Sequence, residues 1–353
     1  MKNYEIRELD ESEQFDPSSL VPDLGGDLRQ RTRDKVSFTQ ASFYGDWQKK
    51  LGRTVRRFIM SRGGETAAYF QMIKYPLLLN KSYLYIPYGP VTKDQSEDFL
   101  IEIRNELKKI AVAENAVFVR LDFSPVIPED ILSHLFTRAS RHSYHSAYFQ
   151  PRAEWFLDLD KAEEDILSSM HEKTRYSIRV SDKKEIVSEI ITADFNRYFD
   201  VFHKLMVGTA ERNGFSLHPK SYYENIFQSL QSANSYLSIS RYGQKVLAID
   251  MVIVFGGVAN YVFGASSNDE RNRMPSYAAL WKAIRYAKQI GCDSYNFGGI
   301  STGNNVYEGW KGLTSFKKKF GGREVIHSDF FDVVVAPFWY HLYNLRKRLK
   351  KLI

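Results

Sequence analysis

A single cysteine, Cys292, in a chain of 353 residues leaves no partner for an internal disulfide. It also excludes the thiolate-rich frameworks that hold structural zinc. A reducing compartment fits that usage. No run of about eighteen apolar residues occurs, so a membrane-spanning helix is not expected. The first residues, MKNYEIRELDESEQF, are acidic and polar where a secretory signal would be apolar, and the expected location is the cytoplasm. The sequence also lacks a G-x-S-x-G elbow, an H-E-x-x-H pair, a G-x-x-x-x-G-K-[ST] loop and a G-x-G-x-x-G turn. Hydrolase triads, zincin metal sites, P-loops and dinucleotide folds therefore lack their residues, and neither a metal nor a cofactor is expected. His142 and His145 have no evident partners nearby in sequence and read as local caps or packing.

What is present is a mild excess of positive charge. Forty-nine Lys and Arg stand against forty-two Asp and Glu, a formal net charge of +7. That balance favours an anionic partner, and nucleic acid, nucleotide phosphates and anionic lipid all stay open. The length suits two domains of ordinary size or one large one.

After a strand at Tyr4 to Arg7 and a polar loop to Lys35, the helical run SFYGDWQKKLG ends at Gly52, with Lys49 and Lys50 in its last turn. TVRRFIMSRG, ETAAYFQMIKYPLL and KSYLYIPYGPV read as an antiparallel meander. An amphipathic helix from Ser96 to Glu114 then leads into the buried strand AVFVRLDFSP. Asp122 stands where that strand leaves its sheet, a common address for a catalytic carboxylate in α/β proteins and equally one for an Asp that caps the next turn.

A second round begins with the strand WFLDLD. The run EEDILSSMHEKTRYSIRVSDKKE reads as one helix, on which Arg175, Arg179 and Lys183 recur every four residues and form a basic stripe. Two helices follow, one stopping at Gly214 and one after Pro219, then the meander YLSISRYG, KVLAIDMVIVFG, VANYVFGAS. Pro275 opens a further helix, Gly291 closes it, and the strand YNFGG comes next. Both halves thus read helix, strands, helix, strand. EVIHSDFFDVVVAPF reads as a returning strand pair. The terminal WYHLYNLRKRLKKLI sets Arg346, Lys347, Arg348, Lys350 and Lys351 against Leu345, Leu349, Leu352 and Ile353. It reads either as a helix on an anionic membrane surface or as a solvated helix whose leucines pack on the protein.

The stretch from Tyr295 to Gly322 is the expected working centre. Gly298 and Gly299 directly after an apolar run permit a sharp turn or close approach of a ligand. Lys317, Lys318 and Lys319 follow where an anionic group can be held, or where a charged run is simply surface.

The strings KTRYSIRVSDKKE, TAERNGFSLHPKSYY, FGASSNDERNRMPSYAALWKAIRYAKQIG, YNFGGI and LTSFKKKFGG, in that order, resemble the Fem (FemABX) family of peptidoglycan bridge-forming aminoacyltransferases over roughly Ser37 to the C-terminus. The resemblance implies an α/β fold: two GNAT-like acyltransferase domains side by side, with mixed, mostly antiparallel sheets flanked by helices and the acceptor held between them. The expected domains are 1–152 with 326–353, and 153–325. Because only a short segment separates Lys184 from Asp194, no helical-arm insertion is expected.

The implied activity moves an amino acid from an aminoacyl-tRNA donor to the stem-peptide amine of a UDP-linked or lipid-linked muropeptide acceptor. Phe316 and Lys317 match the family's Phe-Lys pair, Asp122 its strand-end Asp and Tyr223 the tyrosine of its acceptor site. Lys50, with Lys49 as the alternative, is the nearest match to the phosphate-binding lysine. Lys220 stands beside the place of an expected arginine, which is Pro219 here, and Phe263 replaces an expected tyrosine. Arg175, Arg179 and Lys183 would meet the tRNA backbone through charge. The basic C-terminal helix would touch the inner membrane surface peripherally. Other readings compatible with the residues are an acyl-CoA-dependent N-acyltransferase of the same fold, which would need an R/Q-x-x-G-x-G/A loop that neither half shows, and a non-catalytic module for anionic precursors.

Overall fold

The computed structural model describes residues 4–21, 36–123, 127–139, 150–231, 233–302 and 310–349. His142, His145 and the terminal Lys350 to Ile353 lie outside the described residues. The chain divides into two compact units, Met1–Arg152 with His327–Ile353, and Ala153–Ile326.

The first unit opens with β1 (Tyr4–Glu8), helix α1 (Ser42–Lys50), β2 (Thr54–Arg62), β3 (Glu65–Pro76) and β4 (Ser82–Ile86), the strands running antiparallel in turn. The short β5 (Val91–Thr92) pairs with β3. Helix α2 (Glu97–Ala113) then crosses over, and β6 (Ala116–Leu121) returns parallel to β4. Phe99, Ile103, Leu107 and Ile110 recur at helical spacing on α2 and are buried against Phe58, Phe70, Leu84 and Ile86 of the sheet. Each contributes about 1.5–3 kcal/mol by leaving water. Helix α3 (Glu129–Leu135) and β7 (Thr137–Arg138) follow.

The second unit holds β8 (Ala153–Asp158), α4 (Glu163–Ser169), α5 (Glu172–Lys183), β9 (Val187–Ile191), α6 (Phe199–Asn213), α7 (Lys220–Leu230), β10 (Ser235–Tyr242), β11 (Lys245–Phe255), β12 (Val258–Ser266), α8 (Pro275–Gln289), β13 (Ser294–Gly299), α9 (Lys311–Lys318) and β14 (Arg323–Ile326). Its described strands lie in the order β14-β8-β13-β12-β11-β10-β9. Helix α8 presents Ala279, Ala283 and Ala287 to the sheet. These small side chains let it sit close enough for Ser238 Oγ and Tyr236 Oη to donate to the Ala279 and Ala283 carbonyls at 2.7 and 2.8 Å. The chain then returns to the first unit with β15 (Phe331–Val334), antiparallel to β6, and helix α10 (Pro337–Leu349).

The two sheets repeat one plan. In each, a three-strand antiparallel meander is followed by a crossover helix and a strand parallel to the last of the three. That repetition was expected from the order of elements, and no helical arm stands between α5 and α6.

Other expectations are corrected. The single helix expected from Glu163 is two, because Met170 is extended (ψ 153°) and His171 Nδ1 accepts from Lys173 N at 3.1 Å, capping α5 afresh. The half-exposed edge strand β9 was not expected at all. EVIHSDFFDVVVAPF is not a pair: β14 joins β8 in one sheet and β15 joins β6 in the other, because each is claimed by a distant partner. On α10, Leu345 and Leu349 are 43% and 52% exposed, so these leucines are only partly covered by the protein.

Candidate active site

The parallel ladder of β12 and β13 pairs Val258 with Ser294, Ala259 with Tyr295 and Asn260 with Asn296, and then stops. At this point the register of β13 against β8 also shifts, between Asn296 and Gly299, and Gly298 takes φ +76°. A side chain there would be strained by the left-handed backbone. Its Cβ would also stand 3.5 Å from the Tyr261 carbonyl oxygen and 3.7 Å from Lys317 Nζ.

Buried amides hold the divergence open. Asn296 Nδ2 donates to Glu154 Oε1 at 3.1 Å and to Asn260 Oδ1 at 3.2 Å, while Gly298 N donates to Asn296 Oδ1 at 2.7 Å. Beyond this network, Tyr261, Phe263, Gly298 and Gly299 are each partly exposed. Crevices at the carboxyl ends of parallel strands are where open α/β sheets take ligands.

Lys317, on the last turn of α9, reaches into this divergence. Its Nζ donates to the Gly299 carbonyl at 2.7 Å, and the residue is 6% exposed. Burial pulls the ammonium down to about 8, against the opposing pull of the Glu154 charge. The residue before it, Phe316, packs on Tyr277 and Phe320, each ring 5.3 Å away, which fixes the direction of α9. Lys317, Phe316, Gly298 and Gly299 are thus brought together.

Phe263 continues along β12 and meets the buried Tyr223 of α7 edge to face at 5.6 Å. The phenol of Tyr223 is pushed up by burial. Lys220, at the start of α7, has Nζ 3.5 Å from Asp200 Oδ1 and 5.3 Å from the Phe199 ring centre, so an anion there competes with a carboxylate.

The sequence reading missed a buried acid pair beside this strand end. Asp250 on β11 hydrogen-bonds the Tyr261 hydroxyl, and burial pushes its carboxyl up to about 8. The pairing is made possible at Gly264, where a Cβ would lie 2.8 Å from Asp250 Oδ1 and overlap the Tyr261 hydroxyl. A lone acid inside the apolar run KVLAIDMVIVF was the available signal.

Also missed was a groove of about 550 Å³ lined by His171, Thr302, Lys311, Thr314, Lys318 and Lys319. His171 N donates to the Lys319 carbonyl at 2.9 Å, tying the start of α5 to the end of α9. The basic stripe on α5 is not uniform: Arg179 and Lys183 are exposed, whereas Arg175 donates to the Ser168 carbonyl at 3.0 Å and to that of Met170. It closes the carbonyl end of α4.

Asp122, Lys49 and Lys50 belong to the first unit. Asp122 is 2% exposed, with Oδ1 accepting from Tyr88 N at 2.6 Å and Oδ2 from Tyr85 Oη at 2.9 Å. Burial pushes its carboxyl well above the usual range. Tyr88 takes φ +46°, and this carboxylate anchors the turn that holds it. Lys49 pairs with Glu11, and Lys50 is exposed at the end of α1.

Comparison with known proteins supplies the family. The lipid II:glycine glycyltransferase of Staphylococcus aureus (strain USA300) is 23% identical over 403 aligned positions, covering 92% of each chain. The crystal structure of FemX superposes with a TM-score of 0.78 at 20% identity, over 96% of this chain and 99% of that one. A tandem GNAT protein from the clavulanic acid biosynthesis pathway gives a TM-score of 0.51 at 10% identity, over 94% and 99%. These likenesses identify the fold as tandem GNAT-like. The FemAB family model matches residues 30–242 and 233–348, nearly all of the described chain, and the protein belongs to the FemAB family.

Proposed function

We propose that the protein is an aminoacyltransferase that moves an amino acid from aminoacyl-tRNA to the stem-peptide amine of lipid II or its soluble precursor, building a cell-wall interpeptide bridge. The observation that carries this reading is the buried Lys317 ammonium at the divergence of β12 and β13. Family membership and the glycyltransferase relative supply the substrate class.

In the reaction, the neutral acceptor amine attacks the ester carbonyl of the donor. A C–N bond forms, the carbonyl oxygen takes up negative charge, and the C–O bond to the ribose then breaks. The amine's proton ends on the ribose oxygen. Charge on the carbonyl oxygen develops only on the way to the tetrahedral species, so a pre-placed cation stabilises that state more than the ground state. Lys317 holds such a cation in a buried position, with the ammonium's donors divided between Gly299 and the substrate oxygen. Phe316 and Gly298 keep it in place.

Tyr223 and Phe263 form the aromatic wall on the acceptor side, with Lys220 beside it. On the first unit, Lys50, or Lys49, is the candidate for holding a phosphate. Asp122 holds the Tyr88 turn of the first unit in shape, since both its oxygens already accept hydrogen bonds. On the donor side, the groove of His171, Lys318 and Lys319 and the exposed Arg179 and Lys183 take the phosphodiesters near the tRNA 3′ end.

The test is transfer of labelled amino acid from a pool of charged tRNAs to soluble and lipid-linked muropeptide acceptors, read by mass. Lys317→Ala is expected to lower kcat by roughly 10²–10³, the size typical of one oxyanion donor. Full transfer by that variant would remove the assigned role.

A further inference from the structure

We propose that the first unit carries a docking surface for an anionic lipid bilayer, formed by helix α10 and the turn between β3 and β4. Vesicle binding by this surface does not depend on the transfer reaction.

On α10, Phe338, Leu342, Leu345 and Leu349 are 74%, 45%, 43% and 52% exposed. Their spacing places all of them on one stripe of the helix. The opposite face is what holds α10 to the protein. Tyr340 and Tyr343 lie 5.3 and 5.0 Å from the Phe118 ring, and Tyr343 lies 6.0 Å from Tyr83. The exposed stripe lies away from that packing. Arg346 and Arg348, both exposed, flank it on either side, and α10 contains no acidic residue.

The turn after β3 adds a second apolar element. Leu78 and Leu79 are 63% and 76% exposed, and Leu79 takes φ +56°, a conformation that leucine disfavours. An exposed leucine in that backbone state gains nothing in folding. The turn adjoins the helix: Lys81 Nζ lies 5.8 Å from the Trp339 ring centre and donates to Asn115 Oδ1 at 2.6 Å.

Two apolar elements rimmed by cations, with no acid in the helix, match the chemistry of a bilayer with anionic headgroups. Apolar side chains enter the acyl boundary while the arginines meet phosphates. Among the described residues no helix is long and apolar enough to cross a membrane.

The experiment is flotation of the full chain with vesicles of phosphatidylcholine alone or containing about a third phosphatidylglycerol. The wild type is expected to float with the anionic vesicles and to be released by high salt. Arg346→Glu with Arg348→Glu is expected to weaken binding roughly tenfold or more, at about one kcal-scale contact per cation. Leu342→Glu with Leu345→Glu should abolish it. Leu79→Asn suits the left-handed turn and should fold at least as well, yet bind less. All of these variants should keep wild-type transfer to a soluble acceptor, which separates failure of docking from failure of the enzymatic reading. No binding by the wild type to anionic vesicles would overturn the proposal. So would light scattering that showed the leucine substitutions dissolving a dimer, since the stripe would then serve a second copy of the chain.

Discussion

Lys317 combines two demands that oppose each other. Its charge is useful to a developing oxyanion, and its burial disfavours that charge. Lowering the pKa from 10.5 to about 8 costs roughly 3 kcal/mol of folding free energy at neutral pH. The sign is fixed by which state holds the proton. Below about pH 8 both folded and unfolded chains carry the charge and the cost is present in full; between 8 and 10.5 only the unfolded chain does, and stability rises with pH. Lys317→Met removes the buried charge and also leaves the Gly299 carbonyl without its donor, an offset of about 1–2 kcal/mol. At pH 7 the variant is therefore expected to melt about 2–6 °C higher than wild type while losing transfer. Thermal unfolding at pH 7 and pH 10 checks this: the gain should shrink towards the higher pH. A variant less stable at pH 7 would show that the ammonium is a structural pillar instead.

Helix α9 and the start of α5 raise a question of ionic strength. Lys318 and Lys319 line the groove with His171, and Lys318 also stands 5.0 Å from the Trp155 ring. If this groove meets tRNA phosphates, Lys318→Gln with Lys319→Gln should raise KM for charged tRNA while leaving kcat near wild type. It should also reduce the slope of log KM against log salt by about 1–2. An unchanged slope would exclude the groove from the donor path. Elements of this kind were unevenly legible in the sequence. The two meanders, α2 and α8 announce themselves through alternation, helical spacing and glycine stops, and the string SFKKKF drew attention to Lys317. The break at His171 did not, because a histidine cap competes with an otherwise continuous helical pattern. The Asp250–Tyr261 pair left one trace, a lone acid in an apolar run; its partner was not legible, because it lies on the next strand across a bulge between Met251 and Val252. Asp122 was legible as a buried strand-end acid, but not as the acceptor that fixes Tyr88.

The whole chain is assembled so that one unit is contiguous and the other is not. Ala153–Ile326 carries its own sheet and its own core of Leu157, Tyr236, Ile284, Tyr295 and Phe320. The first unit needs the end of the chain, because β15 supplies Phe331 and Val333 to the core beside Leu121 and Val119. A buried ion pair fixes that strand. Arg120 Nε and Nη2 donate to Asp332 Oδ1 and Oδ2 at 2.8 and 2.7 Å, and Tyr340 Oη donates to Oδ2 at 2.7 Å. With both partners out of water, removing one charge strands the other, at a cost of about 3–5 kcal/mol. A fragment of residues 153–326 is therefore expected to fold alone with a cooperative melt. A chain ending at residue 326 should keep that melt and lose the one belonging to the first unit. Asp332→Asn should do the same more mildly, lowering the first unit's transition by roughly 10 °C. Calorimetry resolves these cases. If the 153–326 fragment gave no cooperative transition, the second unit would depend on contacts supplied by the rest of the chain, and the division into separately folding bodies would fail.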